Sequence, residues 1–195
     1  MKKYRDIAGD GGSHVIQQVE EQIARLKARM AGIKTQLAVM SGKGGVGKSA
    51  VTANLAAAFA MRGSAVGILD ADLNGPTIAK MMGVRGQRLG MGEEGVHPAL
   101  GPLGIKVMSM DLLLPREETP VIWDAPTQQD SFVWRATLEV SALREFLTDA
   151  VWGELDFLLI DLPPGTDRIW NIAGVLPEID GPSLSPSLLR SPSLW

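Results

Sequence analysis

The chain has no cysteine and only two histidines, His14 and His97, which lie far apart in the sequence. Without thiolates, the sequence excludes disulfides, a cysteine nucleophile, and any iron–sulfur cluster or cysteine-bound zinc held by this chain alone. Two isolated histidines also argue against a histidine-rich metal site.

Excess positive charge and long apolar runs are lacking as well. The 19 Lys and Arg residues are outnumbered by 22 Asp and Glu, for a formal net charge of −3, and such a balance is unsuited to non-specific nucleic-acid binding. No stretch offers the roughly 18 consecutive apolar residues of a membrane span, and the polar opening residues do not resemble a secretory signal. We expect a cytoplasmic protein without nucleic-acid or membrane partners.

The apolar residues that are present follow two periods. Of 195 residues 45% are apolar, enough for one compact domain. Spacings of three and four over residues 16–33 predict an amphipathic helix that either packs on its own domain or binds a partner. Helices are also predicted at 49–61 and 140–151. Four short apolar runs are predicted to form buried strands: 36–40, 65–69, 105–110 and 157–160. This alternation predicts an α/β fold with a doubly wound, mostly parallel sheet.

The segment GKGGVGKS at residues 42–49 matches the pattern G-x-x-x-x-G-K-[ST] between a predicted strand and a predicted helix. Glycines let backbone N–H groups turn toward phosphate oxygens, and the helix adds its positive N-terminal end. Lys48 would reach the β- and γ-phosphates, and Ser49 would ligate Mg²⁺. The residues assigned to nucleotide binding are Gly42, Lys43, Gly44, Gly45, Val46, Gly47, Lys48 and Ser49.

Carboxylates follow two of the predicted strands. Asp72 belongs to the segment DADLNGP after the second strand, and Asp161 ends the apolar run FLLI. The carboxyl ends of parallel strands face the ligand crevice of such a sheet. One carboxylate there can orient an attacking water and another can hold a metal. Asp and Asn also favour turns for purely local reasons, which is the alternative for Asp72.

Four segments together carry a family resemblance: SGKGGVGKS at 41–49, LDADLNGPT at 69–77, IKVMSMDLLL at 105–114 and WGELDFLLIDLPPGT at 152–166. They resemble the Mrp/ApbC-type P-loop ATPases, relatives of the MinD/ParA group with a deviant Walker A motif. The resemblance implies that the chain binds ATP and Mg²⁺, forms a homodimer around the nucleotide, and works with iron–sulfur assembly proteins.

The resemblance also implies residue roles. Lys43 matches the signature lysine that contacts the partner subunit's nucleotide, Asp72 the carboxylate that positions water, and Asp161 the Walker-B carboxylate. The expected catalytic residues are then Lys43, Lys48 and Asp72. The expected metal ligands are Ser49, Asp72 and Asp161.

The chain departs from the family pattern at several points. Ala50 stands where many members have Thr, and Asp167 follows one Gly fewer than usual and receives no role. The family domain continues with further strands and a Cys-x-x-Cys pair. We therefore expect a domain incomplete at its C-terminus, in which the strand around residues 37–40 is an exposed apolar edge.

The expected organisation has three parts. Residues 1–34 form an N-terminal extension with the helix, 35–175 a partial P-loop ATPase domain, and 176–195 a disordered tail in which Pro-Ser-Leu recurs. The glycine-dense stretch 83–101 is predicted to be a loop. The leading hypothesis is an ATPase of the iron–sulfur carrier type. The alternatives are a non-catalytic nucleotide-binding or regulatory fragment and a ParA/MinD-type positioning ATPase.

Overall fold

A computed structural model describes residues 15–73, 75–112 and 143–165. The helices over these residues are α1 (Val15–Met30), α2 (Lys48–Met61), α3 (Ile78–Met81) and α4 (143–149). The strands are β1 (Ile33–Val39), β2 (Val66–Asp70), β3 (Gly90–Gly92), β4 (Gly95–His97), β5 (Ala99–Leu100), β6 (Lys106–Ser109) and β7 (Leu155–Asp161). Short 3₁₀ turns at Pro102–Gly104 and Met110–Leu112 flank β6.

The main sheet has five strands in the order β1-β7-β2-β6-β5. The first four are parallel, and β5 pairs antiparallel with β6. β3 and β4 form a separate antiparallel hairpin. All five residues of β2 are buried, as expected for a central strand covered on both faces. The predicted mostly parallel α/β sheet is confirmed.

Alternate side chains of the strands enter two different apolar cores. Leu69 of β2 belongs to the core formed with α1 and α4, whereas its neighbour Ile68 belongs to the core formed with α2 and α3. The same alternation separates Leu158 from Leu159 in β7. Helices therefore cover both faces of the sheet, which confirms the doubly wound arrangement.

Helix α1 packs on the domain that follows it. Leu26 and Met30 are buried in the first core, while Ile23 remains 47% exposed. Ile33, predicted as the last apolar position of this helix, is instead the first residue of β1, so the helical prediction was wrong there. The chain turns at Gly32, where a Cβ atom would lie 2.8 Å from the carbonyl oxygen of Gly153. This close approach begins the pairing of β1 with β7.

The glycine-dense stretch 83–101 is not simply a loop, because it contains β3, β4 and β5. These strands have two or three residues, too few to show an alternating pattern in the sequence. Distant contacts hold them: the N–H of Val151 donates to the carbonyl of Val96 at 2.8 Å, and Ala150 forms a parallel bridge with Val96. The same bridge explains why α4 ends at 149 and not at the predicted 151.

Strand β1 pairs with β7 on one side, and within the described ranges no strand pairs with its other side. Among the described residues β1 is therefore at the edge of the sheet, and its exposure as an apolar edge stays a prediction. The predicted tail 176–195 and Asp167 lie outside the described residues. The proposed domain boundaries stay predictions.

A substitution at Gly67 of β2 tests the packing of the core formed with α1 and α4. A Cβ atom there would lie 2.8 Å from Leu155 Cδ1, 3.0 Å from Trp152 Cζ3 and 3.1 Å from Leu158 Cδ1. Because the Trp152 ring is fully buried and cannot move aside, we expect Gly67→Ala to lower the free energy of unfolding by about 1–3 kcal/mol. Urea denaturation measures it. Gly75→Ala is the matched control, since nothing lies within 4 Å of its added methyl group. Equal effects of the two variants would contradict the packing described here.

Candidate nucleotide-binding site

The phosphate-binding loop connects the end of β1 to the first residue of α2. Gly45 and Gly47 have φ angles of +73° and +87°, which side-chain-bearing residues rarely adopt. A Cβ atom at Gly42, Gly45 or Gly47 would meet nothing within 4 Å, so open space adjoins the loop. The N-terminus of the 14-residue helix α2 follows directly. This is the arrangement in which loop N–H groups and a helix dipole bind phosphate.

A cavity of about 290 Å³ lies against this loop. Its lining includes residues 44–50 of the loop and of α2, together with Asp72, Thr77, Met81 and Pro164. Pro164 follows β7, and Asp72 follows β2. The carboxyl ends of three parallel strands thus meet around one cavity, as expected for a ligand crevice in an open α/β sheet.

Asp161 is the centre of the polar contacts in this region. Its side chain is fully buried, and the Lys48 Nζ atom lies 2.8 Å from its Oδ1 atom. The hydroxyl of Ser49 donates to Oδ2 at 2.6 Å, and the hydroxyl of Thr52 donates to Oδ1 at 2.9 Å. The structure therefore brings Lys48, Ser49 and Asp161 together, as predicted. Thr52 was missed, because a threonine inside a helix gives no signal of a distant partner.

Asp72 lines the cavity, and its side chain also forms a hydrogen bond within its own loop. Its Oδ1 atom accepts a hydrogen bond from the N–H of Gly75 at 3.3 Å, and its carbonyl accepts from the same N–H at 3.3 Å. This is the local turn chemistry typical of aspartate. Asp72 lies at the cavity, as the sequence predicts. Its roles in catalysis and metal binding stay predictions.

Gly42 and Lys43 are the two assigned loop residues that do not line the cavity. Both are exposed. The carbonyl of Lys43 accepts a hydrogen bond from the Ser41 hydroxyl at 3.0 Å, which fixes the start of the loop. The side chain of Lys43 is thus accessible to solvent.

Asp70 is a second buried carboxylate, one strand away from Asp161 and in register with it. Four donors lie 3.0 to 3.3 Å from its oxygens: the N–H groups of Asp72, Thr77 and Ile78 and the hydroxyl of Ser109. Asp70 therefore fixes both ends of the loop 71–77 that carries Asp72. Burial, and secondarily the charge of Asp161, raise the pKa of Asp70 to about 7, while the N–H groups of Ile78 and Asp72 and the Ser109 hydroxyl oppose the rise.

The residues around the cavity fit a nucleotide with Mg²⁺. The open glycine loop suits phosphate oxygens, and Ser49 and Asp161 supply the oxygen ligands that Mg²⁺ prefers. Across the described ranges, no three His, Cys, Asp or Glu side chains gather into a metal site of their own. A divalent ion held here would therefore share its coordination between the protein and phosphate oxygens.

A protein-family model described as the NUBPL iron-transfer P-loop NTPase, of the ParA group, matches residues 32–131 and 124–178. The chain belongs to this family. The resemblance carried by the four sequence segments is thereby confirmed.

Two relatives of this chain are both named iron–sulfur cluster carrier protein. That of Saccharolobus solfataricus is 49% identical over 168 residues, covering 86% of this chain and 53% of the relative. That of Methanocaldococcus jannaschii is 48% identical over 162 residues, covering 83% of this chain and 52% of the relative. The chain thus spans about half the length of these proteins.

A solved structure shares the fold. It is a nucleotide-binding protein in complex with ADP from Archaeoglobus fulgidus, 42% identical with a TM-score of 0.64, and the match covers 78% of this chain and 54% of that one. In the described part of the present chain, no helix is both long and apolar enough to cross a membrane.

The raised pKa of Asp70 predicts a pH dependence of stability. Between pH 4 and pH 7 the folded chain keeps a proton on Asp70 that the unfolded chain has released. The contribution of Asp70 to the free energy of unfolding is therefore at its full value below about pH 4, and it decreases as the pH rises toward 7. The total decrease in the free energy of unfolding is on the order of 4 kcal/mol.

Urea denaturation of the nucleotide- and metal-free chain at pH 5 and pH 7.5 measures this effect. In Asp70→Asn the titrating group is gone, while a carbonyl acceptor remains for the N–H groups. We expect the free energy of unfolding of the wild type to fall more between the two pH values than that of the variant. Parallel changes in both proteins would show that Asp70 does not titrate in this range.

Proposed function

We propose that this chain is the nucleotide-binding part of an iron–sulfur cluster carrier, and that it binds ATP with Mg²⁺ and hydrolyses it. The observation that carries the proposal is the convergence of Lys48, Ser49 and Asp161 beside the open glycine loop. The names of the relatives and of the ADP-bound neighbour support it.

Each of these groups has a task in nucleotide binding. The loop N–H groups and the Lys48 ammonium neutralise the β- and γ-phosphates, where several negative charges converge. Mg²⁺, when bound, adds further positive charge to the phosphates, and Ser49 and Asp161 are the residues that hold it. Asp72 orients the attacking water through one carboxylate oxygen, while its Oδ1 atom keeps the hydrogen bond from the Gly75 N–H.

The proposed partner is a second copy of this chain, which forms a homodimer by closing over the nucleotide. Three exposed side chains near the cavity support it: Lys43 as a cation, and Val46 and Met81, 36% and 50% exposed, as apolar contacts. Lys43 then contacts the phosphates bound by the partner copy. This closure adds a positive charge that neither copy supplies to its own nucleotide.

The iron–sulfur cluster is the cargo in this proposal. Because the chain has no cysteine, the thiolates that ligate the cluster come from other polypeptide. We propose cytoplasmic assembly proteins as its partners. Sequence identity of 48–49% to proteins named cluster carriers favours this function over a ParA/MinD-type positioning ATPase.

A non-catalytic nucleotide-binding fragment is the second candidate. The hydrogen bond that Asp72 Oδ1 accepts from Gly75 favours it, because this bond uses one of the two oxygens expected to orient water. The two functions differ in turnover and not in binding.

The variant Lys48→Ala tests nucleotide binding. Loss of the ammonium group leaves the phosphates without their main side-chain cation, so we expect the affinity for ATP with Mg²⁺ to fall by about 100-fold or more. Isothermal titration calorimetry measures the affinity, and circular dichroism confirms folding. Lys27→Ala removes an exposed lysine of α1 and serves as the control. Wild-type affinity in Lys48→Ala would refute the assignment of the loop.

ATP binding and phosphate release, measured in the wild type and in Asp72→Asn, separate the two candidate functions. The amide keeps the shape of the side chain but lacks the charge that favours proton withdrawal from water. We expect ATP binding to stay within about threefold while the rate of phosphate release falls by about tenfold or more. Asp149→Asn, at an exposed position outside the cavity, is the control. A wild-type chain that binds ATP without turnover would support the non-catalytic candidate.

A further inference from the structure

Thr52 lies one helical turn after Lys48 and is fully buried beneath the phosphate loop. Its hydroxyl is 2.9 Å from Oδ1 of Asp161 and 3.1 Å from the carbonyl oxygen of Lys48. A hydroxyl has one proton to donate, so these two acceptors compete for it. The carboxylate is both nearer and negatively charged, and charge-assisted hydrogen bonds are the stronger ones. The Thr52 proton therefore belongs mainly to Asp161.

This contact differs from the usual behaviour of a threonine inside a helix. Such a residue commonly donates to the carbonyl four residues earlier, which satisfies the hydroxyl within its own helix. Thr148 of α4 does this, with its hydroxyl 2.7 Å from the carbonyl oxygen of Arg144. Thr52 has the same local option and in addition contacts a side chain on β7, 109 residues away in the sequence.

The three donors to Asp161 differ in what nucleotide binding does to them. In the proposed function, Lys48 turns to the phosphates and Ser49 to Mg²⁺, so both leave the carboxylate. Thr52 is fully buried and does not line the cavity, so it cannot reach the ligand and stays. Without it, a buried carboxylate next to Asp70 would lose every side-chain donor described for it at the moment the ligand binds.

We propose that Thr52 is a positioning residue for the metal-binding carboxylate, an inference that rests on the proposed nucleotide function. Its hydroxyl holds Oδ1 of Asp161 and thereby fixes the rotation of the carboxylate. The other oxygen, Oδ2, on the side of Ser49, remains for the metal or its bound water. Thr52 contributes to Mg²⁺ binding through Asp161 and makes no contact of its own with nucleotide.

The test compares ADP affinity by calorimetry in EDTA and in saturating Mg²⁺. The ratio of the two affinities reports the metal contribution alone. Thr52→Val keeps the shape of the side chain and removes the hydroxyl. We expect it to lower the ratio by about tenfold while affinity in EDTA stays within about twofold of wild type. Thr52→Ser restores the ratio to within about twofold of wild type.

Two further variants make the test specific. Thr148→Val removes a hydroxyl from another buried helical threonine remote from the cavity, and we expect both affinities to remain at wild-type values. Thr52→Ala is a second hydroxyl-free variant, smaller than threonine, and it must reproduce the lowered ratio if Thr52→Val does not fold.

Three outcomes are distinguishable. An unchanged ratio in the hydroxyl-free variants overturns the positioning role. An equal loss of affinity in EDTA and in Mg²⁺ also overturns it, because it assigns Thr52 to the structure of the loop. A wild-type chain that binds no ADP in either buffer refutes the proposed nucleotide function itself, independently of any variant.

Discussion

The buried charge of Asp161 is the constraint on which the arrangement of this site depends. A carboxylate removed from water costs several kcal/mol unless it is paired and hydrogen-bonded. Here the compensation comes from Lys48 and from two hydroxyls, all on the first two turns of α2. The strand that carries the charge and the helix that compensates it therefore cannot be placed independently. The loop between β1 and α2 takes its position from both.

The neighbouring strand brings a second buried carboxylate into register with the first. The two acids are stabilised in different ways. Asp161 has a lysine partner, whereas Asp70 has backbone N–H groups and a serine hydroxyl, with a pKa raised to about 7. A proton on Asp70 reduces the negative charge near the phosphate loop before any phosphate arrives. The same side chain fixes the loop that carries Asp72, so charge and loop geometry are coupled.

The sequence predicts those parts of this site in which only a few residue types can occupy a position. Gly45 and Gly47 need left-handed backbone, and Asp161 ends an apolar strand, so motif and periodicity find all three. Thr52 and Asp70 escape such reasoning because their roles come from pairings between distant segments. Ile33 shows the same limit for the fold. Its spacing fits a helix, yet pairing with β7 places it in a strand.

The two edges of the sheet are unequal. At one edge β5 has two residues, runs antiparallel to its neighbour and is followed by Pro102. At the other, β1 has seven residues, of which Lys34 alone is charged, and no described strand covers its outer side. Short strands, proline and edge lysines discourage the addition of further strands, whereas a long strand with few charges favours it. Among the described strands, β1 thus accepts a further strand more readily than β5 does. A polypeptide that extends the sheet by pairing with β1 would contact the strand that leads directly into the phosphate loop.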